Sequence, residues 1–435
     1  MPRTDHGTWR NWAGNQTARP AAIEHPASED DLVRIVKQAA VEGQTVKVVG
    51  SGHSFTDIAV TEGRLVVLDR YGAVLSVDTE RYEVTVQAGI RLEDLNVALD
   101  RRGLAMPNLG DIAYQTAAGA TSTSTHGTGA RLTGLAGQIA AMRVILADGT
   151  AVDCSPTEEP ELFHCARVGL GALGLVSTIT LDVVPAFNLA VVEEPMRVDA
   201  ILEDLDAHVD GNDHFEFFWV PHTGWALTKT NNRTTEPLAP RGRVTEWWND
   251  LFLQNYAFGA LCRIGRRRPQ WIPRLAKALP AAGRVTYVDQ SYRVFASPRL
   301  VRFYEMEDAI PRAACGEALN RIRRFVEDAG LFLSFPVEVR FTAPDDIPLS
   351  TASGRESCYL AIHVFEGMEH RPYFEGVERI LDDYDGRPHW GKLHFQTAAT
   401  LAGRYDQWDR FLAVRDRVDP ERRFANPYLD RVLGA

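Results

Sequence analysis

Two periods of apolar and polar positions run through this chain, and the switch between them predicts its elements. Residues 31–41 repeat at helical spacing behind Ser28 and Asp31, a pair resembling a capping box, and Gly43 stops the run. Residues 46–49 then read as a buried strand entering Gly50-Ser51-Gly52-His53. Further strands are predicted at 65–68 and 84–86, and an amphipathic helix over 92–99 that Gly103 ends. Residues 142–146 and 151–154 flank Asp148-Gly149, a strong hairpin signal, and a helix around 162–168 leads to a strand over 176–183.

Past about Pro185 the texture changes. Trp219, Trp225, Trp247, Trp248 and Trp271 make an aromatic-rich middle. Residues 298–328 read as two helices, 337–341 and 359–365 as strands, and 405–433 as helix and turn. No internal repeat or low-complexity linker appears. The order is α+β, and 435 residues suggest two or three folding units at about 150 residues each.

Charge narrows the function classes. The net charge of −11 weighs against a nucleic-acid partner, which would need a basic face. Five scattered cysteines without a C-x-x-C pair fit buried thiols in a reducing compartment. The first twelve residues lack the apolar core of a signal peptide, and the one long uncharged run, 112–130, is too polar to enter a bilayer. The expectation is a cytoplasmic protein. Arg263, Arg266, Arg267 and Arg268 read as a solvated loop, with contact to an anionic membrane or acidic electron partner as the alternative.

Gly169-Leu170-Gly171-Ala172-Leu173-Gly174 matches a dinucleotide fingerprint letter for letter. That motif needs a strand before it and a helix after it, and here the order is reversed, so a tight helix-to-strand turn is expected. Chemistry concentrates elsewhere. The strand feeding Gly50, Ser51, Gly52, His53 and Ser54 offers backbone N–H groups to a phosphate, and His53 is either a ligand contact or a hydrogen-bonded loop residue. The small hydroxylated stretch from Thr116 through Gly119, Ala120, Thr121 and Ser122 to His126 suits a loop packed on a large polar ligand, preceded by Gly110-Asp111.

Downstream, Glu338, Arg340 and Thr342 alternate with apolar neighbours and so share one strand face, roughly 7 Å between successive members. They make either a ligand-gripping face or a surface salt bridge. His363 shares a face with Tyr359 and Phe365. His389 and His394 lack a third ligand at zinc spacing, so no metal is expected.

The stretches 50–57 and 125–129, Gly171-Ala172-Leu173-Gly174 and His389-Trp390-Gly391-Lys392 occur in the order found in vanillyl-alcohol-oxidase-type flavoproteins. More narrowly, the chain resembles their aldonolactone oxidase branch, with alditol oxidases nearby, from Asn11-Trp12-Ala13-Gly14 to Asn426. The resemblance implies a PCMH-type FAD-binding domain of two α/β subdomains over 1–185. It also implies a cap with a large antiparallel sheet flanked by helices over 186–395, and a segment over 396–435 that returns to the FAD domain. It implies FAD bonded covalently to His53, with Gly110, Asp111, Gly174, Val176, His126 and His389 also on the cofactor. Glu338, Arg340, His363 and Lys392 are implied to face substrate, Lys392 also serving the flavin. The implied reaction is oxidation of an aldono-1,4-lactone at C2 to an ascorbate-type product. Phe365, where alditol oxidases offer a hydroxyl, favours a ring-shaped lactone over a polyol, and Gly110 favours O2 over a quinone or protein acceptor. The rival readings are an alditol oxidase and a flavin-binding protein without turnover.

Overall fold

The computed structural model describes residues 3–5, 7–242, 258–278, 283–296 and 301–435. Trp247, Trp248 and the first residues of the 298–328 segment lie outside this set.

The N-terminal third forms as its patterning dictates. Ser28 Oγ accepts the N–H of Asp31, opening helix Glu29–Glu42, and Gly43 at φ 64° closes it. Leu32, Ile35, Val36 and Ala39 make its buried face. Beside it, strands Ala22–Glu24, Arg64–Val67 and Val46–Val49 pair in parallel, in that order. A second, antiparallel sheet orders Ala151–Cys154, Ile139–Ile145, Leu175–Asp182, Glu83–Gln87 and Val74–Asp78.

The middle of the chain builds an eight-stranded antiparallel sheet. Its order is Val285–Gln290, Asn188–Arg197, Trp225–Thr234, His214–Trp219, Val337–Thr342, Ser357–Phe365, Phe303–Pro311 and Arg387–Pro388. Helices Cys315–Asp328 and Arg371–Asp382 bury apolar stripes in the core behind this sheet.

Three expectations change here. Residues 303–311 are a strand where a helix was expected, and among the described residues of that segment only Cys315–Asp328 is an α-helix. Buried on both faces, this strand shows no simple apolar alternation that would separate it from a helix. Within 112–130, Ala117–Ser122 is a short helix capped by Thr116, whose hydroxyl accepts the Gly119 N–H. The basic run ends a helix, Phe258–Arg267, whose Gly259, Cys262 and Gly265 face inward while its arginines remain outside.

Among the described residues two large hydrophobic cores stand beside two smaller clusters. One joins both N-terminal sheets to Trp390, Tyr405, Phe411, Tyr428 and Leu433, so the C-terminal segment packs with residues more than 300 positions earlier. Asn426 ties that return by reaching the carbonyls of Asp57, Ile58 and Val60. The other lies between the large sheet and its helices.

Candidate active site

The end of strand Val46–Val49 opens into a cleft. Its walls are the 50–54 loop, Thr116, Gly119 and Ser122 of the short helix, and Gly171, Gly174 and Val176. Sterics explain the glycines: a Cβ on Gly50 would fall 2.0 Å from Thr116 Oγ1, and Gly52 sits at φ 63°. The 169–174 turn joins a helix to strand Leu175–Asp182, with Leu170 and Gly171 left-handed. Ala120 and Thr121 point away, buried on the inner face of their helix.

Two cleft residues had no motif to announce them. Trp9 is buried, and its indole N–H finds no partner among the described residues. Lys47, buried in the same wall, donates to the carbonyls of Gly171 (3.3 Å) and Phe424 (3.1 Å), and burial beside Arg415 lowers its pKa to about 7. When protonated the group has three donors, so that form has one more for a ligand. A cleft lined by close-approach glycines, hydroxyls and buried donors fits FAD.

At one end of the cleft His53 stands between Trp12 and Tyr114, with ring centroids 5.5 and 6.3 Å away. Burial, with the charge of Lys392, depresses its pKa to about 4, so the imidazole is neutral at pH 7. The loop after His53 is fastened to the segment that bears Lys392. Phe55 N–H donates to Gly391 O at 2.7 Å, and Thr56 Oγ1 to Trp390 O at 3.0 Å. Lys392 Nζ lies 5.4 Å from the Phe55 ring centre.

The large sheet brings charge to Asp111 and Lys392. Glu338 and Arg340 project together, as their spacing predicts, and pair directly. Arg340 Nε also donates to Glu216 (2.8 Å), and its Nη1 lies 3.6 Å from Asp111. Burial opposes the guanidinium charge, but Glu338, Glu216 and Asp111 outweigh it and raise the Arg340 pKa well above normal. Asp111 therefore meets an arginine of the large sheet, outside the cleft wall.

Strand Phe303–Pro311 adds two carboxylates that sequence reasoning missed. Glu305 pairs with Lys392 and, at 3.3 Å, with His363 Nε2. Glu307 meets His126 Nε2 at 3.2 Å, while His126 Nδ1 faces Gly127 O and the ring stacks on Tyr359. Burial works against both carboxylates, yet Lys392 and His363 hold Glu305 low, and His126 with Lys392 holds Glu307 lower still. Their i, i+2 spacing was the available signal, lost when the segment was read as helix. His389 lies inside this cluster, its pKa pressed to about 3 by burial. Gly110 packs on the same loop; a Cβ there would approach His126 O to 3.1 Å. Among the described residues no group of His, Cys, Asp and Glu could hold a metal.

Family comparison agrees with this arrangement. The model described as D-arabinono-1,4-lactone oxidase matches residues 179–432, and the FAD binding domain model matches residues 20–155. The chain belongs to the D-arabinono-1,4-lactone oxidase family. Within that family's circle, it is 47% identical to L-gulono-1,4-lactone dehydrogenase of Mycobacterium tuberculosis strain H37Rv, over 98% of this chain and 99% of that protein. It is 34% identical to L-gulonolactone oxidase of Bos taurus, over 98% of each. Alditol oxidase of a Streptomyces species is 29% identical, over 97% and 98%. A crystal structure of cholesterol oxidase from B. sterolicum superposes with a TM-score of 0.81 at 18% identity, covering 99% and 97% of the two chains. That likeness establishes the fold of this family member.

Proposed function

We propose that this protein is an FAD-linked enzyme oxidising an aldono-1,4-lactone at C2 to an ascorbate-type product. One observation supports this reading above others. Two ion pairs with little exposure, Glu338–Arg340 and Glu305–Lys392, gather around Asp111, and the Lys392 charge reaches His53 at the end of the glycine-lined cleft. The family relatives named for gulonolactone and arabinonolactone support the lactone in particular.

The site residues divide the work. FAD, when bound, supplies a two-electron acceptor for the hydride. Gly50, Ser51, Gly52, Ser54, Thr116, Gly119, Ser122, Gly174 and Val176 line its cleft, and neutral His53 is the form able to bond covalently to carbon. Glu338 and Arg340 orient the substrate hydroxyls and carbonyl by charge-assisted hydrogen bonds. Lys392 keeps its proton at Nζ, because Glu305 and Glu307 raise its pKa against the cost of burial. A fixed cation in a site that excludes water stabilises developing oxyanion charge far more than it would in solvent. His363 and Phe365, on the neighbouring strand, bound the substrate side; Phe365 offers no hydroxyl to a polyol chain. We assign residues 1–185 with 396–435 to the FAD domain and 186–395 to the cap. The buried free thiols and net acidity support a cytoplasmic location. No described helix is long and apolar enough to cross a membrane.

Anaerobic mixing with L-gulono-, L-galactono- or D-arabinono-1,4-lactone tests the reaction: flavin absorbance should bleach with a lactone. Bleaching by alditols alone would transfer the assignment to a polyol oxidase, and no bleaching by either would leave a flavin-binding protein. Admitting air then reads the acceptor, since slow reoxidation excludes O2. Acid precipitation reads the bond, with yellow colour expected in the pellet.

A further inference from the structure

We propose that Glu305 is a positioning residue that fixes Lys392 and His363 for catalysis from the cap side. The inference rests on the reading of Lys392 as the charge-stabilising group. Glu305 is only 5% exposed, and its two carboxylate oxygens are divided between two partners. One oxygen takes Lys392 Nζ and the other faces His363 Nε2 at 3.3 Å. Its backbone joins in: Glu305 O accepts the Leu393 N–H at 2.9 Å, and Glu307 O accepts the His389 N–H at 2.9 Å. The strand therefore docks the 389–393 segment by main chain and by side chain at once.

The constraint is directional. Lys392 hangs on a flexible stem, and an ammonium is a point charge that goes wherever its acceptors are. Its own segment contributes a backbone bond from Lys392 N to His389 O, and Phe55 offers only a ring face. The groups acting on the ammonium are Glu305 first, then Glu307 and Asp111, each carboxylate favouring its charged form. His363 is held from its other side by Pro336 O, 3.3 Å from Nδ1, and by Phe303 and Phe335 against its ring. Removing the Glu305 charge would free both partners while leaving the apolar frame intact. Lys392 would then lose the largest influence holding its proton in a dry site.

Glu305→Gln keeps the shape and one acceptor, and Glu305→Asp keeps the charge on a shorter stem. In the flavin-loaded enzyme, E305Q should cut the limiting rate of anaerobic flavin reduction by lactone at least tenfold. The alkaline limb of that rate should move down by a pH unit or more, and E305D should restore part of the limb. A second readout needs no substrate. The flavin midpoint potential of E305Q should be more positive than that of the parent at pH 6, where Lys392 is uncompensated. That difference should disappear by pH 9. A uniform loss of rate with a parental pH profile, or an unchanged potential at pH 6, would overturn the proposal. If no lactone reduces the parent, the proposed function falls, and the potential still decides the role of Glu305. Should E305Q fail to fold, E305D carries both measurements, with a smaller shift expected in each.

Discussion

At the level of single residues, Arg340 is the clearest case of charge kept buried by company. One guanidinium serves Glu338 and Glu216 and faces Asp111, the last from outside the large sheet. Removing one member of such a set leaves the others as uncompensated buried charges. Arg340→Met should lower unfolding free energy by about 3–5 kcal/mol, read from urea midpoints. Arg340→Lys should stay folded, because the charge remains, yet lose at least tenfold in kcat/KM for lactone, because the planar fork is gone. Equal stability of R340M and the parent would show that the set is less dry than its burial implies. Glu338 and Arg340 were readable in the sequence because apolar residues alternate with them. Asp111 was read as a cofactor contact, and nothing local could reveal a partner more than 200 positions away.

At the scale of elements, strand Phe303–Pro311 shows why part of the site was hidden. Glu305 and Glu307 face the site, while Asp308 turns to the other side, fully buried beside Glu378 and Asp382. Such a strand resembles a helix in composition, and only its pairing with Ser357–Phe365 settles the period. Neither oxygen of Asp308 has a hydrogen-bond partner among the described residues, and burial with Glu378 raises its pKa well above normal. A raised folded-state pKa means that stability is complete below the unfolded value and falls as pH rises above it. Asp308→Asn removes that loss. The variant should gain about 1–3 kcal/mol at pH 8 and much less at pH 4, in chemical denaturation. The cleft loop obeys a steric rule instead. Gly50→Ala places a methyl against Thr116, so the loop must move, and FAD content per protein (absorbance at 450 against 280 nm) should fall severalfold with the fold retained. That glycine loop was legible from sequence alone, since its residue types are dictated within a few positions.

Across the whole molecule, the C-terminal return joins the FAD core to the strand end that carries the site, and two buried histidines lie along it. His394 accepts or donates at Tyr428 OH (3.0 Å) with its Nε2, and burial, aided by Arg431 and Arg404, takes its pKa to about 3. His389 is depressed to about 3 as well. In the unfolded chain both titrate near 6.5. Between these values the unfolded chain binds protons that the native state refuses, so stability rises with pH across the window and is lost as pH falls. The carboxylates that Lys392, His126 and Arg340 hold low begin to contribute only below their unfolded value of 4.5. From pH 6 down to 5 His394, His389 and His53 therefore each contribute slope of this sign, while Asp308 contributes slope of the opposite sign. Each fully titrating group adds about 1.4 kcal/mol per pH unit. His394→Phe removes one of them, so the slope of unfolding free energy against pH should drop by nearly that amount. A slope unchanged by H394F would mean that His394 takes up its proton in the native state, with Tyr428 then accepting from it.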